Sequence, residues 1–391
     1  MKARILSPTL ENLQLAAQAI RNGEVIGMPT ETVYGLAGDA MSPLALARIF
    51  DTKERPTFDP LIIHVGPLGK GVAALERLKL IDAKLLSPAC RGKADQLMLK
   101  FWPGPLTLVL PKHPDVPDLA TSGLPSVALR MPNHPVAQAL IAFAQTPLAA
   151  PSANRFGRIS PTTAQAVAEE LGDRIDWILD GGASQIGVES TVISLTSIGA
   201  PDAPRDSWRD EIRLLRPGGT PREEIEKLLG HTILLGEGDR DDTGSAHRGE
   251  GKSAAPLAVA APGMLESHYA PEKALHLLPN KVANLVTQDF ATLRSHLSGA
   301  PPDAPVGLLL ISGGAESLGS QFSSHLGRPV VCRSLCTNGD LAEAARHLFA
   351  EMRWLDTSAA VVLFVEPCDS KQGLGYAITD RLRRASHKRN G

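Results

Sequence analysis

From residue 273 onward the chain repeats one pattern, a short apolar run followed by a longer segment of helical periodicity. "ALHLLP", "VGLLLIS" and "VVLFVEP" are the apolar runs; "VANLVTQDFATLRSHL", "NGDLAEAARHLFAEMRWL" and "GYAITDRLRRAS" are the helices. Strands that alternate with helices must be joined by crossovers, and that dictates a parallel sheet. The first 230 residues follow a looser version of the same α/β rhythm. Ser7-Pro8, Ser42-Pro43 and Ser160-Pro161 each read as a helix cap followed by proline at the first helical position. "EVIGMP", "LIIHV", "LTLVLP", "VALRMP", "IDWILDGG" and "GVESTVISL" read as strands. The polar stretch 196–210 reads as a surface loop, and Thr220 with Glu223 as a capping box for a short helix. Between the halves, "GEGDRDDTGSAHRGEGKSAAP" (236–256) has no apolar period and reads as a flexible linker. The predicted organisation is therefore a first domain over 1–230, a linker or lid over 231–272, and a second domain over 273–391.

Composition narrows the function. Hydrophobic residues are 43% of the 391 and charged residues 21%, enough apolar material for two cores. The net charge of −2 argues against a nucleic-acid coat, and 4% aromatic residues are too few for a base-stacking platform. The four cysteines are sparse: Cys332 and Cys336 have no second pair beside them, so they read as small apolar side chains in a reducing compartment. No run approaches the ~20 apolar residues a membrane span requires, and "MKARILSPTLENLQ" is not a signal peptide. A cytoplasmic protein with no membrane contact is expected.

Four polar clusters fall at the ends of elements in the first domain. "PTETVYG" places hydroxyls and a carboxylate where a buried strand stops. "KERPTFDPL" puts Lys53 and Arg55 at a helix C-terminus, where cations are favoured anyway. An ammonium and a guanidinium two residues apart also suit phosphate oxygens. "PSANRFGRISPTTAQ" follows an apolar strand with Ser152, Asn154 and Ser160, small polar groups that admit a ligand closely, and Ser160 at a helix start could offer backbone N–H groups to an anion. "GVESTVI" interrupts an apolar strand. None of these contains a Ser-His-Asp arrangement, a GxSxG elbow or a Walker loop. A site with cations and hydroxyls but no nucleophile works by positioning and charge neutralisation, and adenylyl or phosphoryl transfer between bound substrates fits it.

Taken in order, "PTETVYGL", "KER…DPLIIHV", "VALRMPNHP", "APSAN…SPTTAQ", "GVESTVI" and "LRPGG" resemble the YrdC-type L-threonylcarbamoyl-AMP synthases. The Lys-x-Arg and Ser-x-Asn pairs of that family stand here as Lys53/Arg55 and Ser152/Asn154. The connector "PGM…HYAP" and the α/β tail resemble the long form, with its C-terminal Rossmann-like domain. The resemblance implies an open twisted α/β sheet around a large, positively lined cavity. It implies that L-threonine, bicarbonate (or CO2) and ATP, with Mg2+ assisting, give threonylcarbamoyl-AMP and pyrophosphate. The product passes to a separate transferase machinery that modifies adenosine 37 of tRNAs reading ANN codons; contact with tRNA itself is expected to be weak at most.

The resemblance also assigns residues. Thr32, His64, Arg130, Ala150 and Ser190 fall on the threonine side. Arg55, Asp59, Ser126, Ser152, Asn154, Ser160, Arg216 and Tyr269 fall on the ATP side, with Lys53 and Arg55 offsetting phosphate charge as the catalytic pair. A carbamate formed on the threonine amine attacks the α-phosphorus, and Val33 or Leu36 lines a niche for the threonine methyl. The linker is expected to cover the site. Three features depart from the family pattern: Asp59 stands where Asn is usual, Ser126 where Thr is commoner, and "LES" where the connector usually carries basic and aromatic residues. The alternatives are an RNA-binding module of the same fold without ATP turnover, and the related hydrogenase-maturation enzymes, whose CxxC pairs are missing here.

Overall fold

The apolar runs assemble into two sheets. The computed structural model describes residues 2–199, 203–235, 268–368 and 370–387, and every count below refers to them. The flexible run expected at 236–256 lies outside the described residues, as does the rest of 236–267.

The first sheet takes strands β1 (Arg4–Leu6), β2 (Ile26–Met28), β3 (Gly35–Asp39), β4 (Ile62–His64), β5 (Leu106–Pro111), β6 (Ser126–Arg130), β7 (Leu148–Ala149), β8 (Trp177–Leu179), β9 (Thr191–Ile198), β10 (Arg209–Arg216) and β11 (Leu234–Leu235). Their spatial order is β1-β8-β2-β3-β7-β4-β6-β5-β9-β10-β11, with parallel and antiparallel pairs mixed. Helices α1 (Leu10–Arg21), α2 (Pro43–Lys53), α3 (Val72–Arg77), α4 (Pro88–Phe101), α5 (Asp118–Thr121), α6 (Pro135–Ala144), α7 (Ala164–Leu171) and α8 (Arg222–Leu229) connect them. The second sheet, β12 (Leu275–Leu277), β13 (Val306–Ser312), β14 (Val330–Cys336) and β15 (Leu363–Val365), is wholly parallel in the order β12-β15-β13-β14. Its helices are α9 (Thr287–Ser295), α10 (Ala315–Leu326), α11 (Leu341–Thr357) and α12 (Gly373–Ser386).

Several local expectations need correction. Ser42 caps α2 as expected, its hydroxyl accepting from the Ala45 N–H. The Ser7-Pro8 signal fails, because Thr9 caps α1 instead. Ser160 is not at a helix start either. Thr163 caps α7, since the backbone before it is tied elsewhere: Pro161 accepts from Tyr34 N–H and Thr162 from Ser184 N–H. No capping box forms at Thr220; its backbone N–H and carbonyl both bond the Thr191 hydroxyl, and Glu223 accepts from Gly373 N–H. The stretch 196–210 is not simply a loop, because β9 and β10 pair antiparallel from Ile198 and Arg209 inward. In "GVESTVI" the strand begins at Thr191, so Glu189 and Ser190 precede it rather than interrupt it. Helices α3, α4 and α10 and strand β14 went unread in the sequence.

The second sheet packs onto the first unit through α11 and α12. Val33, Ile159 and Val188 share one apolar cluster with Leu335, Leu348 and Phe349. Each buried side chain of that size contributes roughly 1.5–3 kcal/mol. Arg353 on α11 donates to Glu170 and to the Ile159 carbonyl, and Arg346 to the Gln185 carbonyl. Gly187 makes the closest approach. At φ +80° it sits in the left-handed region, and a Cβ there would lie 2.4 Å from Arg346 Cα. Gly187→Ala should therefore cost about 1–3 kcal/mol, read as a lower midpoint in urea unfolding. An unchanged midpoint would show that α11 does not dock here.

Candidate active site

The site forms on one face of the first sheet, where short strands bring distant polar residues together. Ile62 and His64 are two apart on β4 and so point the same way; His64 is the register partner of Arg130 on β6. Ile62 joins Val109, Ala128, Val192 and Leu215 in a small apolar floor. Leu215 and Arg216 should face opposite sides of β10, yet Leu215 joins the floor and Arg216 lines the cavity above it. The register shift between Leu214 and Arg216 accounts for this: a bulge re-aims the strand end.

One end of the cavity is built around Arg130. Its Nε donates to the Gly104 carbonyl at 3.2 Å and its Nη1 to the Thr32 hydroxyl at 2.8 Å. Its Nη2 lies 2.7 Å from Glu31 Oε1, and both side chains are buried. A guanidinium has five N–H donors. Two of them make hydrogen bonds, and Nη2 faces Glu31 without one, so the guanidinium keeps donors for a carboxylate. Thr32 is itself held by the Thr30 hydroxyl at 2.9 Å. The hydroxyls of "PTETVYG" thus have an address. Thr30 bonds the Val33 carbonyl, Thr32 turns to the cavity, and Tyr34 anchors the segment through the Gly182 carbonyl at 2.7 Å. Burial pushes the Tyr34 hydroxyl up to about 12, so it serves as a structural donor. Val33 lines the cavity, whereas Leu36 lies in the main core.

The other end is more cationic. Arg55 and Arg216 line it, both nearly inaccessible to solvent. Arg216 donates to the Ser190 carbonyl at 2.9 Å, and the Ser190 hydroxyl lies 2.7 Å from that of Thr107. Arg55 Nη2 sits 2.9 Å from Asp59 Oδ2 and also donates to the Pro60 carbonyl. Asp59 therefore balances Arg55 from behind and does not line the cavity. Even so, burial holds the Asp59 pKa above its usual value, against the pull of Arg55 and Lys53. His268 and Tyr269 close this end. Burial, with Arg55 as the next cause, keeps the pKa of His268 well down, so it is neutral. Tyr269 adopts the left-handed φ of 64° and its buried Oη has no hydrogen-bond partner among the described residues.

The expected residues do not all converge. Thr32, Arg55, His64, Arg130, Ala150, Ser152, Ser190, Arg216 and Tyr269 line one space. Lys53, Asn154 and Ser160 stand behind it. Lys53 donates its ammonium to the carbonyls of Ser152 and Asn154, organising that loop, and burial pulls its pKa well down. Asn154 bonds the carbonyls of Arg155 and Arg158. Ser160 gives its hydroxyl to Glu189 at 2.6 Å. Ser126 begins β6, four residues and so about 13 Å along the strand from Arg130. The sequence reading missed Glu31, Glu189 and His268. Each sits inside a quoted motif, and a carboxylate or imidazole beside hydroxyl-bearing residues (Thr30 and Thr32, Ser190, Tyr269) was the available signal.

The space itself is narrow, about 50 Å3, where a pocket for a drug-sized ligand takes roughly 300 Å3 or more. With His268 and Tyr269 as part of its wall, it is smaller than the cavity the resemblance implies.

Comparison with known proteins agrees along the whole chain. Residues 18–207 match the family described as "Telomere recombination", and residues 220–387 match "Threonylcarbamoyl-AMP synthase, C-terminal domain". The chain is 37% identical to the threonylcarbamoyl-AMP synthase of Pyrococcus abyssi, over 96% of this chain and 94% of that one. It is 35% identical to that of Bacillus subtilis, over 97% and 94%. The crystal structure of P. abyssi Sua5 complexed with L-threonine superposes with a TM-score of 0.75 at 34% identity, covering 98% of each chain.

His64 gives the site a measurable pH signature. Burial pulls its pKa down to about 3, with the charge of Arg130 as the next cause. An unfolded histidine takes up a proton near 6.5. Between those values the unfolded chain holds the extra proton, so His64 supports the fold fully above about pH 6.5 and ever less as pH falls. His64→Gln should flatten the loss of stability between pH 6.5 and 4.5, measured by urea unfolding at both. An equal loss in both proteins would contradict the burial of a neutral imidazole.

Proposed function

The chain belongs to the threonylcarbamoyl-AMP synthase family in its two-domain form, and we infer its chemistry from that membership and from the polarity of the cavity. It is an L-threonylcarbamoyladenylate synthase, joining L-threonine, bicarbonate or CO2, and ATP into threonylcarbamoyl-AMP with release of pyrophosphate. The observation that carries the assignment of the two substrates is the asymmetry of charge. One arginine, Arg130, stands at the first end, paired with Glu31 but with Nη2 free of hydrogen bonds, and suits a monoanionic carboxylate. The opposite end presents two arginines, Arg55 and Arg216, and suits a polyphosphate.

In this reading threonine lies with its carboxylate on Arg130 and its hydroxyl or amine toward Thr32, His64 and Ser190. Neutral His64 accepts or donates a hydrogen bond there without adding charge. Val33 meets the methyl group. A single methyl in an apolar niche gives only ~1–3 kcal/mol of preference over serine. The amine captures CO2, and the carbamate oxygen attacks the α-phosphorus while pyrophosphate leaves toward Arg55 and Arg216. Those guanidinium groups, preset by protein acceptors, act on charge that develops in the transition state. No side chain forms a covalent intermediate.

Mg2+ fits as a companion of ATP rather than as a resident of the protein. No group of three or more His, Cys, Asp or Glu is placed to hold a metal among the described residues. The carboxylates nearest the cavity are committed to arginines: Glu31 to Arg130, Asp59 to Arg55 and Glu189 to Arg381. The ion would arrive chelated by the phosphates. The narrow space also requires the wall that carries His268 and Tyr269 to yield when ATP enters. The product goes to a tRNA-modifying transferase in the cytoplasm, with which direct contact is a further proposal.

Incubation with ATP, L-threonine and bicarbonate should give threonylcarbamoyl-AMP by mass spectrometry, with pyrophosphate release at background when threonine is withheld. Threonine-independent release at full rate would sink the assignment. Arg130→Met removes a charge-assisted pair, so KM for threonine should rise by about 10- to 100-fold, with KM for ATP changing less than about threefold.

A further inference from the structure

Glu189 poses a problem for a site that receives a polyphosphate. It lines the cavity beside Ser190, and a bare carboxylate there repels the ligand the site is built to take. The balancing charge comes from the far end of the chain. Arg381 on α12 is completely buried and donates through Nε to Glu189 Oε2 at 2.9 Å. Its Nη1 donates to the Pro217 carbonyl at 2.6 Å and to Asp380 Oδ2 at 2.9 Å. Its guanidinium carbon lies 5.3 Å from the centre of the Tyr269 ring. One side chain of the second unit therefore touches the residue next to Ser190, the residue next to Arg216, and the aromatic wall of the cavity.

We propose that Arg381 is a positioning residue for the nucleotide end of the active site, neutralising Glu189 and bracing Tyr269, so that the C-terminal unit completes the site it packs against. The inference rests on the assignment of ATP to this end of the cavity. An ordinary docking contact is the plainer explanation, but docking has its own contacts. Arg346 and Arg353 on α11 bond the first unit at Gln185, Glu170 and Ile159. Arg381 differs from them in three ways. It has no solvent exposure, so its desolvation needs a functional or energetic return. Its main partner faces the cavity. Its Nη2 has no acceptor among the described residues, so the guanidinium retains an unmatched donor. Glu189 meanwhile uses its other oxygen to accept from Ser160, which fixes the carboxylate in one orientation.

The charge account makes a demand that a purely structural role does not. Removing Arg381 should harm nucleotide binding because Glu189 is left bare, and removing the charge of Glu189 as well should restore it. Binding of α,β-methylene-ATP and of L-threonine is measured by calorimetry on the full chain, so turnover is not required. Arg381→Met should weaken nucleotide binding by about 10- to 100-fold, as for other buried pairs cut on one side, with threonine affinity within about twofold. The double variant Arg381→Met/Glu189→Gln should recover most of the loss. Arg381→Lys keeps the charge but not the fork that reaches Glu189 and Pro217 together, so it should weaken nucleotide binding by less than about tenfold with threonine affinity unchanged; it serves if the Met variant does not fold, and parent-like nucleotide binding in it would then count against the proposal. Arg346→Ala, a docking contact away from the cavity, should leave both affinities unchanged. Parent-like nucleotide binding in Arg381→Met, no recovery in the double variant, or equal weakening for both ligands would each overturn the proposal. A parent protein that binds threonine but not the nucleotide would instead remove the substrate assignment on which it stands.

Discussion

A guanidinium kept from water needs acceptors on every side, and that requirement organises this protein. Arg130, Arg55, Arg216 and Arg381 are all nearly or wholly buried around one small space. Their partners are spread along the first unit: Glu31 and Thr32 before β3, Asp59 and Pro60 before β4, Ser190 before β9, Pro217 after β10. Because each arginine is held by the protein before any substrate arrives, little reorganisation remains for the reaction itself. The cost is an unfavourable burial of charge, visible in Asp59, whose carboxyl stays above its usual pKa despite the adjacent arginine. A fold serving stability alone would fill this region with apolar side chains.

Much of this was legible in the sequence, but unevenly. The βαβ rhythm after residue 273 could be read because buried parallel strands are continuous apolar runs, and β13 and β15 are such runs. β14 escaped because it lies at the sheet edge, half exposed, and "VVCRSLC" mixes charge and hydroxyl into its run. Motif order picked out residues that meet in space, since Thr32, His64, Arg130, Ser190 and Arg216 line one cavity. What failed were readings that depend on distant partners. Ser160 carries the same Ser-Pro signal as Ser42, yet only Ser42 caps, because Ser160 faces Glu189. Lys53 is a fixed clasp on the Ser152–Asn154 loop, which its position at a helix end could not reveal. Arg381 is 192 residues from Glu189, and nothing local marks it off from Arg383 and Arg384.

The two sheets therefore form one working unit despite separate strand systems. The second supplies α11 and α12, and these press Tyr269 between Phe349 and the Arg381 guanidinium. The short described part of the connector is clasped from both sides. Ala270 donates to the Gly157 carbonyl of the first unit, and His268 to the Arg384 carbonyl of the second. The end of the cavity proposed for the nucleotide is thus bounded by both units, at Tyr269 and Glu189.

The sheet borders have a bearing on how the molecule behaves in company. The first sheet has β1 at one border, three residues long and too short to recruit a foreign strand. The second has β14 at one border, seven residues long and, among the described residues, paired by a strand on one side only. Arg333, midway along it, pairs with Glu351 and lies over the Trp354 ring. That cation breaks the apolar run of the rim, and the His347 ring and the Ser334 hydroxyl engage the backbone carbonyls of Leu335 and Cys336, so the edge offers a foreign strand an interrupted ladder.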